Sequence, residues 1–434
     1  MANFQEQYKS KLMTMQEALG QIKDKSLIAT GAFGQEPIGF LRELHTIYDR
    51  ISEITLYGGG GSEKYPYMFE KPYQDKFFVT TNFYGAGTRA NHPNGNVSII
   101  PMHLHQCYTR YHEVWKPNVI ATSATPMDKH GYFNLSLGGW ELKFLEDADV
   151  VIVEVVEDMP NIPGEYELHI SDVTAVVESG RTLLTGKPGE LTETDIAIGQ
   201  HVATLVEDGS TIQLGIGAVP DAVAQAFKVK QDLGVHTEML TSSIADLAEC
   251  GAITNRRKTL YRGKTIGAFA QGSRKLYDFL DGNLSVYMRP TYYVNDPHVI
   301  AQNEKMVSVN TCIEVDLVGQ IASETLGTRQ FSGTGGQNDF AEGAIHSKGG
   351  KSIIAMHSSG TNKAGERFSK IKSILTPGSV VTMSRNNIDY IVTEHGIAPM
   401  KARNIRQRVD NLIAVAHPDF REELRAEANK LMLW

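Results

Sequence analysis

The chain has 434 residues, more than one ordinary hydrophobic core serves, so two domains are expected. Apolar residues make up 41% and charged residues 21%, the composition of a folded protein and not of a disordered one. A formal charge of -8 with no long Lys/Arg run excludes nucleic acid as the main partner.

Cys107, Cys250 and Cys312 are widely separated, so neither a disulfide framework nor a zinc pair is expected. The polar start, Met1-Ala2-Asn3-Phe4-Gln5-Glu6, has no signal-peptide core. The apolar run 150–153 ends at Glu154, far short of the roughly 20 residues a membrane helix needs. These features point to a reducing, cytoplasmic compartment and no membrane partner.

Residues 10–48 read as helix, strand, glycine turn and helix, with Gly31 and Gly34 closing the strand at 26–29. A strand at 55–57 runs into four glycines, 58–61, too permissive for regular structure. Further strands are expected at 77–79, 97–100, 119–121 and 150–155. Strands alternating with helical stretches indicate an α/β domain with a largely parallel sheet. Thr185-Gly186-Lys187-Pro188-Gly189 marks a boundary, giving domains 1–185 and 186–434.

The second half restarts with a helix, Thr192 and Asp195 standing at capping-box spacing. Residues 206–215 then echo residues 22–31, Asp, Ser, Ile and Gly coinciding, and each segment leads through a glycine turn and a Pro (Pro37, Pro220) into a helix. Two domains of the same topology are the expectation. Strands follow at 211–214, 266–271, 352–356 and 379–383, with one alternating strand through Val307, Val309, Ile313, Val315 and Leu317. Helices are expected at 274–280 and from Asp419 onward.

Glu238 is the leading candidate for chemistry. It follows the turn Gly215-Ile216-Gly217-Ala218-Val219 and a helix expected to start at Pro220. A carboxylate beside a flexible glycine loop suits a nucleophile that is itself acylated, although a cap or surface charge is the plain reading of such a Glu. Gly333, Gly335 and Gly336, followed by Gln337, make a second glycine loop whose amides suit a phosphate or an oxyanion. Residues 358–370, with Gly360, Lys363, Arg367 and Lys370, form a basic, hydroxyl-rich loop. His103 and His105 share a face of a strand with no third ligand, so no metal site is expected.

His236-Thr237-Glu238-Met239, Gly215-Ile216-Gly217 and Gly335-Gly336-Gln337-Asn338-Asp339-Phe340 together resemble the acetyl-CoA hydrolase/transferase family of CoA-transferases. The branch resembled acts on 4-hydroxybutyrate, butyrate or itaconate. Pro126-Met127-Asp128, Glu314-Val315-Asp316 and Thr393-Glu394-His395-Gly396 extend the likeness over nearly the whole chain. The resemblance implies two open α/β domains of CoA-transferase type with the active site at their interface, acyl-CoA and small carboxylic acids as substrates, no permanent cofactor, and a homodimer or higher homo-oligomer.

It also implies that Glu238 forms a glutamyl-CoA thioester in a ping-pong reaction. Gly215, Ile216, Gly217, Ala218, Val219, Gly335, Gly336, Gln337, Gly360, Lys363 and Asn387 would bind CoA, and Gly31, Gly60, Phe83 and Tyr84 would line the acyl pocket. The first turn, Thr30-Gly31-Ala32-Phe33-Gly34-Gln35-Glu36-Pro37, lacks the His of the hydroxybutyrate type. That counts against 4-hydroxybutyrate and leaves room for a branched acid such as itaconate. The alternative activity is acyl-CoA hydrolysis by the same glutamate.

Overall fold

Strand β1 (Leu27–Thr30) sets the layout of the first of two units. It pairs in parallel with β2 (Ile54–Tyr57) on one side and β5 (Val119–Ala124) on the other. With β3 (Phe77–Thr81), β4 (Val97–Ile99), β6 (Val150–Val155) and β7 (Ala175–Glu178), the order is β4-β3-β2-β1-β5-β6-β7, parallel throughout. Every residue of β5 and β6 is buried. That is why 119–121 and 150–153 read as continuous apolar runs and not as alternating ones. The computed structural model describes residues 4–58, 61–186 and 189–433. By contacts it divides into Met1–Lys187 with Gly267–Tyr293, and Pro188–Ile266 with Val294–Trp434.

Glu154, which interrupts the apolar run of β6, is fully buried. Its carboxylate accepts from the amides of Gly39 (2.9 Å) and Phe40 (3.3 Å), from Ser179 Oγ (2.8 Å) and from Arg181 Nε (2.6 Å). The first two amides open helix α1 (Ile38–Glu43), where unpaired N–H groups favour a negative charge.

The second unit repeats the plan. Strand β8 (Thr211–Leu214) lies between β9 (Gly234–Leu240) and β10 (Met306–Asn310), both parallel to it. Beyond β10 come β11 (Lys351–Ala355), β12 (Tyr390–Thr393) and β13 (Gly396–Pro399), only the last antiparallel. In order, β9-β8-β10-β11-β12 matches β2-β1-β5-β6-β7. Helix α2 (Glu193–Leu205) opens with the expected capping box: Thr192 Oγ1 accepts from Asp195 N while Asp195 accepts from Thr192 N.

Four local expectations are corrected. Helix α3 (Ala218–Ala226) starts two residues before Pro220, with Gly217 as its cap. Pro220 is tolerated because first-turn amides have no partner within the helix. The single strand through 307–317 is two: β10 ends at Asn310, Ile313 N bonds to Ala322 O (2.9 Å), and Glu314–Asp316 joins a separate small sheet. Residues 379–383 make only an isolated bridge from Met383 to Ile321. There Val380 and Val381 are exposed, and Val380 N donates to Thr325 Oγ1 (2.7 Å) instead of to a ladder. His103 caps a short turn of 3-10 helix, Leu104–Gln106, and His105 lies within it, so the two do not share a strand face.

No helix among the described residues is long and apolar enough to cross a membrane. No group of three His, Cys, Asp or Glu among them is placed to hold a metal ion.

Candidate active site

Strand β9 is buried through Gly234, Val235, His236 and Thr237, and Glu238 is the first residue to emerge, half-buried. Continuing the parallel register that pairs Thr211 with Gly234 and Ile212 with Val235 brings Gly215 level with Glu238. The glycine turn therefore opens at the carboxyl end of β8, on the strand beside the glutamate. Where strand order reverses, as it does between β8 and β10, open α/β sheets receive their ligands.

Glu238 is held by groups distant in sequence. Asn295 Nδ2 donates to its Oε2 at 2.8 Å, and the backbone N–H of Gly336 donates as well. Gly336 caps helix α4 (Gln337–His346), and a β-carbon on it would overlap Oε2 of Glu238. Asp339, in the first turn of α4, is fully buried. Burial pushes the Glu238 carboxyl up from its ordinary value near 4.5 to about 7, with the Asp339 charge acting in the same direction. The bonds from Asn295 and Gly336 oppose the rise. Beside it, the fully buried His236 has its Nε2 2.8 Å from the carbonyl oxygen of Val294, the residue before Asn295.

The loop from Gly215 to Ala218 is half-buried to exposed, Ile216 at 54%. Gly217 has φ +108 and ψ -178, a conformation essentially reserved for glycine. Beneath the loop lies a buried amide network: Gln213 Nε2 donates to Asn310 Oδ1 (3.1 Å), and Ser308 Oγ to Gln213 Oε1 (2.9 Å). Gln337 Nε2 donates to Thr311 O (3.0 Å), and Asn387 Nδ2 to Asn338 Oδ1 (3.2 Å). Gly335 is buried at φ +57.

The residues expected to bind CoA are thus distributed unevenly. Gly336 touches Glu238; Gly335 and Gln337 adjoin it in sequence, and Asn387 bonds to the first turn of α4. Gly360 and Lys363 belong to a β-hairpin, Ser359–Thr361 paired with Arg367–Ser369, where Gly360 gives room to the Phe368 ring and Lys363 is exposed at the turn. Asn295 is the addition that sequence reasoning missed. The run Tyr293-Val294-Asn295-Asp296-Pro297 signals only a helix start, which Asp296 caps over Pro297–Ile300.

In the first unit, Gly31 follows β1, and a β-carbon there would strike Gln35 O. Phe83 is half-buried, 6.4 Å between ring centroids from Phe33, which also stacks on Phe269 at 4.9 Å. Phe33 adopts φ +55, a strained choice for a bulky side chain. Tyr84 is fully buried, its hydroxyl 2.9 Å from His92 Nδ1. Gly60 lies outside the described residues.

Sequence models of the acetyl-CoA hydrolase/transferase N-terminal domain and C-terminal domain match residues 1–185 and 272–428. The chain belongs to the acetyl-CoA hydrolase/transferase family. Glu238 lies between the two matched segments, so its assignment stands on geometry. Within the family, the chain is 38% identical to the 4-hydroxybutyrate coenzyme A transferase of Clostridium kluyveri, over 98% of this chain and 99% of that one. It is 36% identical to the butyryl-CoA:acetate CoA-transferase of Anaerostipes caccae, over 100% and 99%. The crystal structure of RipA from Yersinia pestis superposes with a TM-score of 0.92 at 34% identity, over 100% of both chains. Matches to acetyl-CoA hydrolases are weaker, 27% over 66% of this chain for that of Kluyveromyces lactis. The protein is an enzyme that transfers CoA.

Proposed function

We propose that Glu238 is the nucleophile of this CoA-transferase and that CoA passes between short-chain carboxylic acids through a glutamyl-CoA thioester. The supporting observation is the setting of Glu238: a half-buried carboxylate, level with a glycine turn, holding two N–H donors.

The carboxylate attacks the thioester carbonyl of the donor; the C–S bond breaks, leaving a mixed anhydride and CoA thiolate. The thiolate attacks the glutamyl carbonyl of the anhydride, which releases the donor acid and leaves Glu238 as its CoA thioester. The acceptor carboxylate then attacks that thioester, expelling thiolate, and thiolate takes the acyl group from the new anhydride to regenerate Glu238. One carboxylate exchanges for another, so neither ATP nor metal enters the balance. Covalent catalysis divides the exchange into two half-reactions. The N–H groups of Asn295 and Gly336 are suited to the oxyanions that form on the glutamyl carbonyl. The loop from Gly215 to Val219 and the residues Gly335, Gln337, Gly360, Lys363 and Asn387 are the candidates for holding CoA. Remote binding of the nucleotide then assists the reacting carbonyl.

Relatives are named for butyrate, 4-hydroxybutyrate and succinate, which makes these the candidate acids, with itaconate kept as a test acid because the first turn lacks a His. Gly31, Gly60, Phe83 and Tyr84 remain the candidates for acyl contacts. A cytoplasmic homo-oligomer is part of the proposal, in keeping with three free cysteines.

Intact mass after incubation with acyl-CoA, on wild type and Glu238→Ala, is the deciding experiment. A CoA adduct on the wild type, absent from the variant and reduced by borohydride, is expected. Acyl-CoA consumption without any adduct would remove Glu238 from the mechanism.

A further inference from the structure

The amino end of β9 is gripped by a loop that the chemistry above does not use. Val235 donates its backbone N–H to Asn255 Oδ1 at 2.9 Å, and its carbonyl accepts Lys258 Nζ at 2.6 Å. Lys258 Nζ also donates to Lys264 O at 2.7 Å. The loop is fastened at both ends: Thr254 N and Asn255 N donate to Leu233 O, and Asn255 Nδ2 donates to Thr265 Oγ1. Asn255 and Tyr261 both sit at positive φ, +55 and +51, a conformation that asparagine tolerates well and a bulky tyrosine does not. Gly234 is required, because the Lys258 stem occupies the place of its missing β-carbon.

Lys258 is an unusual residue for this place. It is 4% exposed, and among the described residues no carboxylate pairs with it. An ammonium buried without a counter-ion is costly, and an apolar side chain would fill the volume at less expense. What an apolar side chain does not supply is a pair of donors for two backbone carbonyls, one of them on the strand that carries Glu238. Burial lowers the Lys258 pKa to about 7. A neutral amine still has two N–H bonds, so the grip survives deprotonation.

We infer that Lys258, with Asn255, is a positioning residue for catalysis: together they fix Val235 and so set Glu238, three residues on, against Gly336 and Asn295. In β9 the residue gripped and the residue that reacts are joined by one short extended segment. A slip of the strand moves the carboxylate relative to donors presented by other segments. Misplacement by about 1 Å can cost about a hundredfold in rate.

With Glu238 read as the nucleophile, the test is steady-state kinetics per folded molecule on Lys258→Met and Asn255→Gly, well below each Tm. Asn255→Gly removes the acceptor while tolerating the positive φ. A fall in kcat of about tenfold or more, with KM for acyl-CoA within about twofold of wild type, is expected for both. A packing role alone lowers Tm and leaves kcat per folded molecule unchanged, which would overturn the inference. If Lys258→Met does not fold, Asn255→Gly decides. Glu238→Gln serves as the separate control. A Glu238→Gln enzyme that turned over normally would refute the nucleophile and the positioning role together, whereas an inactive Glu238→Gln beside two unimpaired loop variants would refute the positioning role alone.

Discussion

Gly336 approaches Glu238 so closely that a β-carbon on the glycine would overlap the carboxylate, and the same approach delivers its N–H to that carboxylate. The backbone of Gly336 is unexceptional, φ -95, so the demand for glycine there is one of space and not of conformation. Gly336→Ala is therefore expected to fold with a penalty of about 1–3 kcal/mol and to lose about a hundredfold or more in kcat. Thermal unfolding and turnover, measured together, check both numbers; an alanine enzyme with wild-type kcat would show that Glu238 is not held by this contact during catalysis.

A nucleophilic carboxylate must be ionised. With its pKa raised to about 7, chiefly by burial, kcat/KM should rise with pH through about 7 and level off above it. Asn295 donates to Glu238 and pulls that pKa down, so Asn295→Ala should move the acid limb to higher pH. A limb that stays in place in Asn295→Ala would assign it to another group.

Glu141 supplies a pH effect on stability alone. It is fully buried, accepts from Thr122 Oγ1, and burial raises it from near 4.5 to about 7. A carboxyl whose folded pKa lies above its unfolded one contributes stability that is complete below about 4.5 and is lost as pH rises through about 7. Glu141→Gln is expected to gain on wild type between pH 5 and pH 8 by on the order of 1–3 kcal/mol. Denaturant unfolding at the two pH values measures this directly, and a pH-independent difference would mean that Glu141 does not ionise differently in the folded state.

Removing Glu154 should be far more damaging. Glu154 is fully buried, pairs with Arg181 at 2.6 Å and caps α1. Glu154→Ala strands a nearly buried guanidinium and two helix amides, a loss of about 3–5 kcal/mol. The double replacement Glu154→Met with Arg181→Met should recover part of it. Chemical denaturation of the single and double variants tests the coupling, and a double variant no better than the single one would place the loss in the helix cap.

Much of the strand inventory was legible because parallel strands buried on both faces leave continuous apolar runs, as at 119–121 and 150–153. The capping box at Thr192 and Asp195 was legible because both partners lie within one turn. The failures are equally local. Residues 307–317 carry one alternation across two strands that enter different sheets, since periodicity does not record where a chain changes direction. Val380 and Val381 have the composition of a strand but face solvent, and composition does not state burial.

For the site, the sequence by itself determined the glycine loops and the family, and it singled out Glu238 as the candidate nucleophile. The loops and the glutamate are written in short contiguous motifs and the family in the order of several such motifs; backbone freedom or side-chain chemistry at one position needs no partner to be read. Only the tertiary structure decided what surrounds Glu238. Asn295, Gly336 and Asp339 reach it from 57, 98 and 101 residues away, by subtraction of their positions. Such neighbours are set by how strands pair and helices pack, and the burial that raises its pKa exists only once those elements have come together.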